Sequence, residues 1–182
     1  GAMYDESIRC PMIFSGPGIR MGEVESSAVS MLDVFPTLCE FSGSRLPNDK
    51  RGHSLLGMAR GETGSDAPDF ALTEYHGAGM PSSVFAIRSG RYKFVECVGE
   101  RPMLFDLKDD PHEMSDLVVD AADDPTLQEM VEQMRARLIA ICDPSEIDVL
   151  VKADQRARRQ ELADSGQLFD EMWKRGYERR SD

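Results

Sequence analysis

Between Phe70 and Cys142 the spacing of apolar residues changes once, from every second residue to the spacing of a helix. That change calls for a sheet with a helix laid on it. Phe70 to Tyr75 reads as a strand. Val84 to Arg88 and Arg91 to Val95 flank Ser89-Gly90, which has the composition of a two-residue hairpin turn. This register sets Ile87 against Tyr92 and Phe85 against Phe94 on one face, as a sheet packed on a core needs. It also opposes Arg88 to Arg91, so a carboxylate is expected beside them, from Glu74 or Asp106. Met103 to Leu107 supplies another strand, with Met103, Phe105 and Leu107 on one side, and Lys108-Asp109-Asp110-Pro111 a turn. From Pro125 to Cys142, Leu127, Met130, Val131, Met134, Leu138 and Ile141 form one stripe, which is read as packing on the sheet. The expected fold class is α+β: a small antiparallel sheet of about four strands, one long amphipathic helix on it, and flanking helices.

The residues before this unit read differently. Gly1-Ala2-Met3 has the look of a cleaved tag. Ile8 to Phe14 is a short apolar run closed by Ser15-Gly16-Pro17-Gly18, and it is read as a buried strand that lacks neighbours upstream. A helix follows. Ser30 and Asp33 both suit its N-cap, and Pro36 favours Asp33, because proline is tolerated only in the first turn. Val34, Leu38 and Phe41 then share one apolar face, and Gly43 ends the helix. Ser54 to Met58 forms a further short helix. Past Cys142, residues 145–164 are helical but mostly polar, with Ile147, Leu150 and Val151 early.

Charge and cysteine usage exclude several classes. The net charge is −12, with −13 over residues 1–151 and +1 over 152–182. An acidic body with a balanced tail lacks the basic stripe that nucleic-acid binding needs. No apolar run approaches the ~20 residues that span a membrane. Cys10, Cys39, Cys97 and Cys142 contain no C-x-x-C pair and read as small buried hydrophobes. The acidic run from Asp106 to Asp124 lacks the spaced aspartates and turn glycine of a calcium loop, and reads as a solvated turn and helix start.

The order of motifs resembles that of type I sulfatases, in the alkaline-phosphatase superfamily. Glu6-Ser7-Ile8-Arg9-Cys10-Pro11-Met12-Ile13 is similar to the strand after their core. Asp33-Val34-Phe35-Pro36-Thr37-Leu38 resembles the D-x-x-P-T-L helix, and Gly52-His53-Ser54-Leu55 the G-x-S-L segment. Arg88-Ser89-Gly90-Arg91-Tyr92-Lys93 resembles the R-x-G-x-Y-K hairpin, and Leu104 to Glu113 the L-F-D-L-x-x-D-P-x-E run. The tail from Asp143-Pro144 resembles the choline-sulfatase and phosphonate-monoester-hydrolase branch more loosely. The resemblance implies a fragment of a larger α/β hydrolase, whose parent hydrolyses a sulfate ester, or a phosphonate or phosphate ester. Residues 4–69 would be the tail end of the α/β core, 70–142 the C-terminal subdomain, and 143–182 a helical tail.

It also implies what lies elsewhere. The family uses a formylglycine made from Cys or Ser in a C-x-P-S-R signature, and a divalent cation, usually calcium. The expectation is therefore no cofactor in this chain and a missing N-terminal catalytic domain as partner. Any signal peptide would lie outside the fragment, which leaves cytoplasm and periplasm both open. Within the chain, Glu74-Tyr75-His76 ends a strand at a glycine-bearing loop, the kind of position that carries function. The resemblance points that strand end at the substrate, so His76, then Tyr75 and Glu74, are the candidate substrate-binding residues. Set against this, a loop histidine often only bonds backbone. The second class of function is a stand-alone interaction module that forms a homo-oligomer through Phe169, Trp173 and Tyr177.

One segment imitates the catalytic signature. Cys142-Asp143-Pro144-Ser145 fits its first four positions, but Glu146 replaces the arginine, and Asp-Pro reads as a helix boundary. Mass spectrometry of the peptide around Cys142 is expected to find the unmodified thiol. A mass lower by about 18 Da would mean conversion to the aldehyde and would overturn this reading.

Overall fold

The computed structural model describes residues 3–62, 69–77, 80–120 and 124–166. Its centre is a four-stranded antiparallel meander in the order β1 (Phe70–Tyr75), β2 (Val84–Ser89), β3 (Tyr92–Cys97) and β4 (Met103–Asp106). After the single turn α4 (Leu117–Asp120), helix α5 (Pro125–Ile141) lies on one face. It starts where Asp124 accepts from the N–H groups of Thr126 and Leu127, with Pro125 in the first turn. Its stripe meets Phe85, Ile87, Phe94 and Leu104 through Val131, Met134 and Leu138. Each of these three side chains contributes about 1.5–3 kcal/mol on burial. Ile141 is the exception to the expected stripe: it is exposed, because the helix ends there. Helix α6 (Pro144–Asp164) follows, capped by Asp143 with Pro144 next, so Asp-Pro is a helix boundary as read.

The hairpin departs from the expected register. Ser89 pairs with Tyr92, so Gly90-Arg91 forms the turn, Ile87 faces Phe94, and Phe85 faces Glu96. Gly90 takes the positive φ of 54° that this turn requires. The slip is two residues, and side chains alternate with period two, so every apolar residue stays on its expected face. Arg88 now stands opposite Lys93. The expected carboxylate comes from Asp106, which takes Arg91 in a two-pronged pair, while Asp109 takes the same guanidinium from outside. Glu74 plays no part in it. Arg91's pairing holds the Asp106 carboxyl below its usual range.

Beneath the sheet's other face lies a smaller apolar cluster of Met3, Val84, Ala86, Val95 and Phe105. Lys93 points into it and is 1% exposed. Its ammonium meets Asp5 Oδ1 at 2.8 Å and Glu113 Oε1. Glu113 in turn accepts from the Asp5 N–H at 2.6 Å. Asp5 belongs to the single-turn helix α1 (Asp5–Ile8), and Glu113 closes the loop after β4. Glu113 holds φ +55°, rare for a residue with a side chain, and these two bonds fix it there.

The expected strand at 8–14 is absent. A strand exists through its ladder, and no described strand pairs with these residues; Ile13 is exposed. The helix start also differs. A 3-10 turn (Met31–Asp33) precedes α2 (Val34–Ser42), and Ser30, not Asp33, is the cap. The Ser30 hydroxyl accepts from Leu32 N–H, and Asp33 Oδ2 accepts from Ser30 N–H. Pro36 is still tolerated, because it remains in the first turn of α2. The other oxygen of Asp33 accepts from His53 N–H, and Thr37 Oγ1 accepts from Leu55 N–H. These bonds tie α2 to the segment before α3 (Leu56–Arg60), which starts two residues later than expected. Gly52 lies so close that a Cβ there would stand 2.4 Å from the Leu32 carbonyl oxygen.

The expected apolar face of α2 is not a core. Leu38 and Phe41, with Met31, Leu32 and Phe35, are each more than half exposed; Pro36, Thr37 and Cys39 are the buried side. The tail aromatics Phe169, Trp173 and Tyr177 lie outside the described residues.

Replacing Lys93 by methionine keeps the stem's bulk but leaves the buried Glu113 carboxylate without its cation. Urea denaturation is expected to find a loss of about 3 kcal/mol, with partial recovery in Lys93→Met/Glu113→Gln. A single variant within about 0.5 kcal/mol of the parent, the range of ordinary surface changes, would contradict the assigned role.

Candidate functional site at the end of β1

Strand alternation divides the three candidate residues. Tyr75 pairs with Val84 and turns toward the Met3 cluster. Its ring tip covers Gly77, where a Cβ would come within 2.5 Å of it. Glu74 and His76 fall on the other side and meet, His76 Nε2 to Glu74 Oε2 at 3.2 Å. The His76 ring stands edge-on to Phe85, centroids 5.5 Å apart at 68°. Its Nδ1 is buried and has no hydrogen-bond partner among the described residues. The structure therefore joins His76 with Glu74 and sets Tyr75 apart.

The opposite wall is α6. Asp148, Lys152 and Gln155 recur at the spacing of one helix face. Gln155 Nε2 donates to the His76 carbonyl at 2.6 Å. Asp148 Oδ1 accepts from Ser83 N–H at 2.7 Å, and its Oδ2 meets Lys152 Nζ at 2.7 Å. Lys152 also reaches Ser82 Oγ at 3.5 Å. Between the walls is a shallow groove open to solvent, with Met80, Pro81 and Val151 in its lining. Burial pushes the Asp148 carboxyl up, but the bonds from Lys152 and Ser83 outweigh it, and the group sits below its usual range.

The imidazole, carboxylate, ammonium and amide of this arrangement can bind and orient a polar group. Burial, with nearby carboxylates, pushes the Cys97 and Cys142 thiols up, away from the reactive thiolate. Among the described residues no three His, Cys, Asp or Glu gather as a metal ion would require. No described helix is long and apolar enough to cross a membrane. His53 and His112 lie outside the groove, and His53 gives its N–H to Asp33.

Reading the chain by its apolar residues misses Asp148, Lys152 and Gln155, because α6 is mostly polar. Their spacing of four and then three around Val151 was the available signal.

Comparison with known proteins adds an independent finding. Residues 1–155 match the family described as N-sulphoglucosamine sulphohydrolase, C-terminal. Human arylsulfatase K is 32% identical over 128 residues, 65% of this chain and 24% of that protein. A Delta 4,5-hexuronate-2-O-sulfatase of Bacteroides thetaiotaomicron is 32% identical over 168 residues, 86% of this chain and 34% of that protein. Among solved structures, a 2-O GAG sulfatase superposes with TM-score 0.60 at 29% identity, covering 80% of this chain and 30% of that one. The chain thus spans about a quarter to a third of the length of these relatives.

The lowered Asp148 group makes an acid-range prediction. Its contribution to stability is full above the ordinary value of 3.8 and is lost as pH falls through the lower folded value. Asp148→Asn keeps an acceptor for Ser83 N–H but cannot titrate. Chemical denaturation from about pH 5 down to about pH 2 is expected to fall less steeply for this variant than for the parent. Identical slopes would exclude the Lys152 and Ser83 bonds as the cause.

Proposed function

The chain belongs to the family of sulfatase C-terminal domains, and we propose that it completes a sulfate-ester hydrolase by docking on the catalytic part and forming one wall of its substrate pocket. The observation that carries this reading is the family match, joined to a similarity that covers only 24% of human arylsulfatase K. The catalytic part then supplies the nucleophile, formylglycine, and the divalent cation, calcium in this proposal. Those groups would attack and neutralise charge on the sulfuryl oxygens.

The exposed apolar side of residues 13–41 supports docking. Met31, Leu32, Phe35, Leu38 and Phe41 line one side of α2 and its leading turn, with Ile13, Met21 and Val24 exposed before them. Five large apolar side chains exposed together along α2 and its leading turn mark a surface that another part would cover. The groove at His76 supports the second half of the proposal. His76 would contact the leaving group or the sulfate, with Glu74 orienting its ring at Nε2. Tyr75 would act from the opposite face, through the backbone it packs. The names of the bacterial relatives make a 2-O-sulfated uronate sugar the substrate class to assay first. The stand-alone oligomer reading has no comparable support.

In the protein joined to its catalytic part, His76→Ala is expected to cut kcat/KM for the sulfated sugar by about 10- to 100-fold, with melting unchanged. Unchanged turnover would sink the role of His76. Faster turnover of a matched phosphonate or phosphate ester would replace the sulfate-ester reading by the other chemistry.

A further inference from the structure

The connection that bears His76 joins two strands of the sheet, yet both its ends are held by a helix far along the chain. At one end Gln155 Nε2 donates to the His76 carbonyl. At the other, Asp148 accepts from Ser83 N–H, and Lys152 approaches the Ser82 hydroxyl while pairing with Asp148. These contacts cross 79, 65 and 70 residues of sequence. The three α6 side chains stand at i, i+4 and i+7, one face of one helix, so a rigid element grips the connection at two points. Helix α6 is itself anchored, by its Asp143 cap and by Ile147 against the main core. The family match runs to residue 155 and so takes in this face to its last member.

We infer that this face of α6 is a positioning device for His76, with Gln155 as the positioning residue that sets where the imidazole stands. The inference rests on the proposed role of the groove only for its consequence in catalysis; the clamp itself is a property of this chain. The physical reason is direct. His76 lies one residue past the strand, where the ladder no longer fixes its backbone. Its ring has one hydrogen-bonded partner, Glu74, and one aromatic neighbour, Phe85. Holding the carbonyl through Gln155 fixes the peptide plane, and the ring then meets both neighbours from a defined root. Without it, the imidazole keeps its chemistry but loses its placement, the kind of looseness that weakens a site built on a loop.

Gln155→Glu tests this, since it is isosteric, exposed and unable to donate; its carboxylate would face the His76 carbonyl. Gln160→Glu, on the same helix but bonded only to Asp164, makes the same change of charge away from the groove. Hydrogen exchange and imidazole NMR shifts are read on this chain. Gln155→Glu is expected to speed amide exchange at Gly77, Met80, Ser82 and Ser83 by about five- to tenfold and to move the His76 ring signals. Gln160→Glu is expected to do neither. Unchanged exchange and ring signals in Gln155→Glu would overturn the inference, and so would equal effects from the two variants. Joined to the catalytic part, Gln155→Glu should raise KM severalfold with kcat nearly unchanged. A loosened connection with KM and kcat both unchanged would leave the clamp standing and remove the groove from the substrate's path.

Discussion

The buried ammonium of Lys93 is the contact on which the rest of the arrangement depends. A charge taken this far out of water is tolerated only with carboxylates at hand, and Asp5 and Glu113 are the two that reach it. One comes from the first described helix and the other from the loop after the last strand. The pair therefore fixes the lower face of the sheet against segments 88 and 20 residues away in sequence. Met3 is buried as a result, and Glu113 accepts a backbone conformation that few side chains adopt. With that face closed and α5 on the other, the end of β1 has a fixed place from which to present Glu74 and His76.

The segments that carry the sulfatase likeness turn out to bond to each other. Asp33 and Thr37 of the D-x-x-P-T-L run hold the backbone of the G-x-S-L segment at His53 and Leu55. Arg91 and Lys93 of the hairpin run take Asp106 and Glu113 of the L-F-D-L-x-x-D-P-x-E run. These residues build a frame. The groove lies elsewhere, between the β1–β2 connection and α6, and of the sequence candidates His76 alone lines it, with Glu74 against its ring. The exposed apolar side of α2 belongs to neither; its shape makes sense against a further body.

How much of this the sequence could yield follows the range of the interactions. The α5 stripe, its start at Pro125 and the helix break at Asp143-Pro144 depend on neighbours within a few residues, and they were legible. The hairpin register was off by two because Ser89-Gly90 and Gly90-Arg91 are both acceptable turns, and the tie is broken by pairing along the whole ladder. The segment at 8–14 has the composition of a strand, but a strand requires a partner that composition cannot supply. The apolar side of α2 was correctly identified as apolar, while its exposure depends on what packs there. Asp148, Lys152 and Gln155 were hidden because polar residues on a polar helix look solvated until another segment crosses them.

We propose that this chain forms one wall of a sulfate-ester hydrolase whose nucleophile lies in another part. The most direct measurement is complementation: sulfate-ester turnover by this chain, by the catalytic part, and by the two mixed, with a divalent cation present. No turnover is expected from this chain alone, and turnover is expected to return on mixing, in proportion to complex formed. Turnover by this chain alone would contradict it, as would a catalytic part that is fully active on its natural substrate without it.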